Sequence, residues 1–233
     1  MNRSATQGKE ADRLSADIEC LNPESLQATL VSDVGNHCEV WRTSKRNPSP
    51  GEDSPYTEFV IKHPVIHYSE TETKLLARQY RLLKERLEEI IPDALFIITR
   101  INRRHNVCVL ARAVNIWFNI ANPQNREEAI ALLSGSPRAL DQLKRFLEVA
   151  QALRRSDNPK LIDLYGLDNL VLDTNREIRY IDSFDVFFFE DMPDLFDGTD
   201  PELERKIDIS LDRLNYLEQI RAEAERSAQA SIP

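Results

Sequence analysis

The feature that most constrains the fold is a change in hydrophobic pattern near residue 115. Before it, short runs of β-branched and aromatic residues surround one segment of helical periodicity; after it, helical periodicity dominates. Strands gathered in one half of a chain and helices in the other are typical of an α+β fold. We therefore predict a β-rich region over 23–115 and a helical region over 116–227, between a flexible tail at 1–22 and a short tail at 228–233.

The β-rich region contains five candidate strands and one candidate helix. The strands are the runs LQATLVSDV, HCEVWRTSK, YTEFVIKHP, ALFIITRIN and NVCVLARAV, in which apolar and polar residues partly alternate. The helix lies within 69–91, where Ser69 and Glu72 match a capping box and Pro92 follows the last apolar residue of the stripe. The predicted order of elements in this region is therefore β-β-β-α-β-β.

The helical region contains three candidate helices. NREEAIALLSG ends near Gly135, and the next helix begins with Ser136 as N-cap and Pro137 at the first helical position. The last candidate helix covers 201–226, where apolar residues again recur at helical spacing.

A hairpin-like segment, DLYGLDNLVLDTNREIRYIDSF, lies at 163–184 between the second and third of these helices. Two short β-like runs flank a polar turn. Asn169 precedes the first run and Asp182 follows the second, thirteen residues later. This spacing favours either a metal–phosphate site at the open end of the hairpin or an ordinary acidic hairpin.

Composition excludes several classes of function. The chain has 233 residues, a net charge of -9 and a pI of about 5.1, whereas a broad nucleic-acid surface needs clustered Lys and Arg. Cys20, Cys38 and Cys108 are too widely spaced to predict a disulfide framework or a zinc site. No signal-peptide core is present, and no apolar run approaches about 20 residues. We therefore expect a cytoplasmic protein that binds neither nucleic acid nor a membrane.

Short motifs within this pattern resemble those of a known superfamily. FVIK, at 59–62, is similar to the kinase motif V-A-I-K, and DSF, at 182–184, stands where the kinase D-F-G would stand. The separation of Asn169 from Asp182 is also similar to that between the two kinase metal ligands. With the order of elements, these motifs resemble the protein-kinase-like superfamily, in its small bacterial kinase or pseudokinase form, over roughly 25–190.

The resemblance implies a bilobal α+β fold. Its N-lobe would be a five-stranded antiparallel sheet with one helix, and its C-lobe would be mostly helical with a catalytic-loop-like hairpin. It implies that ATP and magnesium bind between the lobes, with Lys62 on the α- and β-phosphates and with Asn169 and Asp182 on the metal. The residue that would orient or deprotonate the acceptor hydroxyl is Asp163 or Asp168, because the expected H-x-D pattern is absent and both aspartates lie near Asn169.

Other residues depart from the family's pattern. The strand-connecting segment that would cover the phosphates has a single glycine, Gly35, and the helix residue expected to pair with Lys62 is Gln79. The segment after the hairpin is also too short for a protein-substrate docking region. These departures leave open an ATP-dependent phosphotransferase that acts on an unknown hydroxyl acceptor, a catalytically degenerate pseudokinase that binds a partner protein, and an unrelated α+β protein.

Overall fold

The structure is a computed structural model that describes residues 26–32, 38–45, 58–101, 103–189 and 200–230. Gly35 and the predicted tail at 1–22 lie outside these ranges. The elements of the N-terminal half are β1 (Leu26–Ser32), β2 (Cys38–Lys45), β3 (Phe59–Pro64), α1 (Glu70–Leu87), β4 (Ala94–Ile101) and β5 (Arg104–Arg112). They correspond one for one to the predicted strands and helix.

The first five strands form one sheet in the order β1-β2-β3-β5-β4, and every neighbouring pair is antiparallel. The predicted five-stranded antiparallel sheet is thereby confirmed. Its central strand, β3, pairs with β2 through Val40 opposite Lys62 and with β5 through Val109 opposite Lys62. Lys62 therefore lies on a strand that is held rigidly on both sides.

Helix α1 begins and packs as its sequence predicts. The Ser69 side chain accepts a hydrogen bond from the Glu72 N–H, and the Glu72 carboxylate accepts one from the Ser69 N–H, which completes a capping box. Its buried stripe, Leu76, Tyr80, Leu83 and Leu87 among others, faces the rest of the protein. A 3-10 turn, Glu88–Ile90, leads from α1 into β4.

The C-terminal part is mainly helical. Its elements are β6 (Ile116–Phe118), α2 (Arg126–Ser134), α3 (Pro137–Arg154), β7 (Leu161–Ile162), β8 (Leu170–Asp173), β9 (Ile178–Tyr180), β10 (Phe187–Phe188) and α4 (Pro201–Ala230). As predicted, Ser136 caps α3 by accepting from the Ala139 N–H, and Pro137 opens the helix. The α+β class and the helical C-terminal part are confirmed, whereas the bilobal kinase-like arrangement stays a prediction.

Helix α4 is longer than predicted. It continues to Ala230, four residues past the predicted end at 226, and so includes the first part of the expected tail. The added residues belong to the run AERSAQA, which lacks Gly and Pro and is rich in alanine, the residue with the highest helix propensity.

Two apolar clusters hold the described elements together. The larger one joins α1, α2, α3, α4 and the short strands. The smaller one, which we call the junction cluster, consists of Tyr68, Leu76, Val107, Val109 and Phe184. It matters for the site, because it joins the exit of the hairpin to α1 and to the five-stranded sheet. Within the described ranges, no helix is long and apolar enough to cross a membrane.

Candidate functional site

The β8–β9 hairpin brings Asn169 next to Asp182. Leu170 pairs with Tyr180, and the Ile181 N–H donates to the Asn169 carbonyl at 2.9 Å. Residues that are thirteen apart in sequence therefore meet at the open end of the hairpin. The Asn169 amide Nδ2 lies 3.3 Å from Asp182 Oδ2 and donates to it.

Asp163 joins the same group through its main chain. The Asn169 amide Nδ2 also donates to the Asp163 carbonyl at 3.2 Å, and the buried Tyr180 hydroxyl donates to that carbonyl at 3.1 Å. The Asp163 carboxylate accepts from the Tyr165 N–H at 2.6 Å. These bonds fix the position of Asp163 relative to Asn169.

Lys62 reaches this group from the five-stranded sheet. Its ammonium Nζ donates to the Ile181 carbonyl at 2.6 Å, one residue before Asp182. The two residues are 119 apart in sequence, so tertiary packing alone brings them together. We call Lys62, Asp163, Asn169 and Asp182 the site cluster.

The protonation of Asp163 is the main electrostatic feature of the site cluster. Burial first, and the nearby Asp182 carboxylate second, raise the pKa of Asp163 from its ordinary 3.8 to about 7. The hydrogen bond from the Tyr165 N–H and the positive charge of Lys206 act in the opposite direction. Asp163 therefore changes charge near neutral pH, where a carboxylate that accepts a proton from a substrate is most useful.

The loop that carries Asp182 is anchored to the sheet. Asp182 Oδ1 accepts from the Ser183 N–H at 2.6 Å and from the Phe184 N–H at 3.3 Å. The Phe184 ring enters the junction cluster and stacks on Tyr68 with ring centroids 6.2 Å apart. The Tyr68 hydroxyl donates to Asp185 Oδ2 at 3.2 Å. These contacts hold the Asp182 carboxylate toward Asn169.

The remaining predicted site residues lie elsewhere. Asp168 is on an exposed turn and accepts from the Asn119 amide at 2.9 Å, so of the two candidate acids the structure brings Asp163 into the site cluster. Gln79 is half-buried on α1, and no hydrogen bond joins it to Lys62 among the residues that the structure describes. The α1 residue next to it, Tyr80, is buried, and its pKa is raised by burial and by the negative charges of Asp93 and Asp182.

Helix α4 contributes residues that the sequence did not indicate. The Ser210 hydroxyl accepts from the Leu164 N–H at 3.1 Å, and the Arg213 guanidinium donates to the carbonyls of Leu164 and Tyr165. Ser210 and Arg213 lie three residues apart, as expected for one face of a helix. The spacing predicts that the two side chains lie on the same face of α4. It does not predict that this face contacts the loop at 163–165.

Asp182 and Asn169 carry the kinds of oxygen atom that magnesium prefers as ligands. Hard Mg²⁺ prefers oxygen ligands and is commonly held by one or two carboxylates together with substrate phosphates. The nitrogen of the Asn169 amide faces Asp163 and Asp182, and its oxygen lies against Gly166. The amide would have to turn over for its oxygen to join the Asp182 carboxylate on a metal ion. In the described part of the chain, no group of three or more His, Cys, Asp or Glu residues could hold a metal ion.

Comparison of the chain with models of known protein families gives no match, and comparison with curated proteins gives none either.

Gly166 leaves room for the Asn169 side chain, which gives a direct test of the hairpin geometry. A Cβ at position 166 would lie 2.3 Å from Asn169 Oδ1, so Gly166→Ala must displace the amide that bonds both Asp163 and Asp182. We expect Gly166→Ala to lower the free energy of unfolding by about 1–2 kcal/mol, the typical cost of disrupted partly buried hydrogen bonds. Urea unfolding measures this.

Gly135→Ala is the matched control for that substitution. A Cβ there would meet its nearest neighbour, the Ala131 carbonyl oxygen, at 3.4 Å, and Gly135 has a helical φ of -84°. We expect its stability to be unchanged or slightly raised. Equal stabilities of the two variants would contradict the placement of Asn169 against Gly166.

Proposed function

We propose that the protein is a small kinase-like phosphotransferase that binds ATP with magnesium between its sheet and its helical part and transfers the terminal phosphoryl group to a hydroxyl acceptor. The observation that carries the proposal is the hydrogen bond from Lys62 Nζ to the Ile181 carbonyl at 2.6 Å. It places an ammonium, which suits phosphate oxygens, beside an acid and an amide that suit a divalent metal.

The proposal gives each member of the site cluster a role. Lys62 binds the α- and β-phosphates, and Asp182 and Asn169 hold magnesium, which when bound supplies positive charge against the phosphate oxygens. Asp163 orients the acceptor hydroxyl. Such a site works mainly by positioning its groups and by neutralising charge, because phosphoryl transfer requires little covalent chemistry from the protein.

The atoms of the transfer balance without a further reactant. A bond forms between the acceptor oxygen and the γ-phosphorus, and the bond from that phosphorus to the oxygen bridging it to the β-phosphate breaks. The products are ADP and a phosphate ester. The proton of the acceptor hydroxyl passes to the Asp163 carboxylate and from there to solvent, which requires Asp163 to be ionised at the start of the reaction.

A second function, a catalytically degenerate binding module, is favoured by the environment of Lys62. In the described part of the chain its ammonium bonds a main-chain carbonyl, and the α1 residue expected to supply a charged partner is Gln79. A neutral partner holds an ammonium less firmly than a carboxylate does. Such a module would keep the fold and bind a partner protein, with weak nucleotide binding or none.

Nucleotide binding is tested by thermal unfolding of the full chain with ATP and Mg²⁺. A ligand at 100 times its Kd stabilises the native state by about 2.7 kcal/mol, so the wild-type midpoint should rise in the presence of both components. Lys62→Met removes the ammonium and keeps an unbranched apolar chain, so we expect most of this rise to disappear.

Lys74→Met is the matched control, because Lys74 pairs with Glu70 on the exposed face of α1, where its side chain is 67% exposed. It should keep the full metal-dependent rise. A wild-type midpoint that does not respond to millimolar ATP with Mg²⁺ would refute the nucleotide site. That outcome would leave the binding-module function or an unrelated α+β protein. A midpoint that rises while no acceptor in a panel of hydroxyl compounds consumes ATP favours the binding module with weak nucleotide binding.

A further inference from the structure

Lys62 lies at one end of the site cluster, and a second lysine, Lys206, which is not a member of the cluster, lies near the other end. At one end, Lys62 bonds the Ile181 carbonyl from the sheet. At the other end, Asp163 accepts from the Tyr165 N–H at 2.6 Å, and the Lys206 ammonium lies 5.7 Å from the centroid of the Tyr165 ring. Asn169 and Asp182 lie between these ends, since the Asn169 amide bonds both Asp182 and the Asp163 carbonyl.

The position of Lys206 relative to Asp163 is set by α4. Lys206, Ser210 and Arg213 are spaced by four and three residues, which places them on one face of the helix. Ser210 and Arg213 bond the main chain of Leu164 and Tyr165, directly after Asp163. The Lys206 side chain is 16% exposed, so its charge acts in a partly desolvated place.

We propose that Lys206 binds an anionic group of the acceptor, so that the substrate is a hydroxyl compound that carries a phosphate or carboxylate. This inference rests on the proposed phosphotransferase function. If the nucleotide phosphates take the Lys62 end and the transferred group moves toward Asp163, then the acceptor lies beyond Asp163, where it meets the Tyr165 ring and the Lys206 ammonium. An ammonium in this place can form charge-assisted hydrogen bonds to the oxygens of a phosphate or carboxylate.

A purely structural role for Lys206 makes a different prediction, and the chain offers a matched control for it. Lys206 pairs with Glu202 one helical turn earlier at 3.0 Å, and Lys74 pairs in the same way with Glu70 at 2.6 Å on α1. Pairs of this kind on a helix surface contribute only about 0.3–0.5 kcal/mol to stability. Lys74→Met therefore controls for the loss of such a pair. Lys206→Met also removes the contact with the Tyr165 ring and a less exposed charge, so it should cost more stability, and phosphate binding rather than stability tests the ligand role.

The experiment is a calorimetric titration of the full chain with inorganic phosphate at constant ionic strength, with saturating ADP and Mg²⁺ and again without nucleotide. We expect Lys206→Met to weaken phosphate binding by at least about tenfold, the loss typical of one charge-assisted contact. Lys206→Arg, which keeps the charge, and Lys74→Met should bind phosphate as the wild type does.

Phosphate binding that is absent in the wild type, unchanged in Lys206→Met, or weakened equally in Lys74→Met overturns the inference. Failure of the proposed function is seen separately, as the absence of any heat or midpoint change with ADP and Mg²⁺. The titration without nucleotide still decides the role of Lys206 in that case. A phosphorylated and a carboxylated acceptor series, compared for ATP consumption, then distinguishes the two sources of the anion.

Discussion

Asp163→Asn should give a protein that is more stable than the wild type above pH 7 and that transfers phosphoryl groups about 10²–10⁴-fold more slowly, the range by which a positioned acid or base accelerates a reaction. The asparagine keeps an oxygen that can accept from the Tyr165 N–H, so the fold of the loop should be retained. What it removes is a carboxylate that burial and Asp182 make costly to ionise.

The sign of the stability change follows from the direction of the pKa shift. The pKa of Asp163 is about 7 in the folded protein and 3.8 as its ordinary value, so between these pH values the native state binds more protons than the unfolded state. The free energy of unfolding therefore falls as pH rises through this window, and it levels off above pH 7. Each pKa unit corresponds to about 1.4 kcal/mol, so Asp163→Asn should recover on the order of 2–4 kcal/mol at pH 8.

Urea unfolding of the wild type and of Asp163→Asn at pH 4.5 and pH 8 measures this difference. Asp168→Asn is the matched control, because Asp168 is exposed on the neighbouring turn, and its stability should stay within about 0.5 kcal/mol of the wild type. A stability difference between wild type and Asp163→Asn that is the same at both pH values would show that Asp163 titrates normally. This part of the prediction holds whether or not the protein transfers phosphate.

The elements of the fold were predictable because each is specified locally. The capping box at Ser69 and the Ser136-Pro137 start lie within the segments that they organise, as do the alternating runs of the strands. The predicted end of α4 at 226 falls four residues short because no large apolar residue extends the stripe over 227–230; the high helix propensity of alanine continues the helix to Ala230.

Only those contacts of the site that follow from strand pairing within one hairpin could be predicted from the sequence. The meeting of Asn169 and Asp182 follows from hairpin register within a short segment. Whether Asp163 or Asp168 joins them depends on the path of the main chain between 163 and 169, because Asp163 enters the site cluster through its carbonyl, and the sequence left both aspartates open. The contact of Lys62 with the Ile181 carbonyl spans 119 residues, and sequence pattern alone carries no information about such a contact without a family resemblance.

The contacts that α4 makes with the loop at 163–165 could not be predicted either, because they also join residues far apart in the sequence. Ser210 bonds Leu164 over 46 residues, and in the sequence Ser210 is one more polar residue on an amphipathic helix. A polar residue on the core side of a helix is a weak signal for a buried hydrogen bond. It does not name the partner.

Phe184→Ala should be the most destabilising single substitution at the junction of the hairpin and the sheet. The Phe184 side chain is 7% exposed, stacks on Tyr68 and meets Phe96 edge-on with ring centroids 6.4 Å apart. Truncation of a buried phenylalanine removes its transfer free energy and leaves a cavity, which together cost about 3–5 kcal/mol. Phe184→Leu keeps most of the apolar volume and should cost clearly less.

Phe184→Ala should also make the position of the Asp182 carboxylate less fixed. A substitution elsewhere in the core should not have this local effect. The Ser183 and Phe184 N–H groups donate to Asp182 Oδ1, and the Phe184 ring fixes the direction of that turn. Leu133→Ala is the control, because Leu133 is fully buried on α2 in the larger core and should cost a comparable 2–5 kcal/mol. In native-state hydrogen exchange, Phe184→Ala should expose the two amides by local opening, whereas Leu133→Ala should affect them only through global unfolding. If both variants expose these amides to the same extent relative to their global stability, the junction cluster does not position Asp182. Its position must then depend on the Asn169 amide and on the main-chain bonds of Ile181.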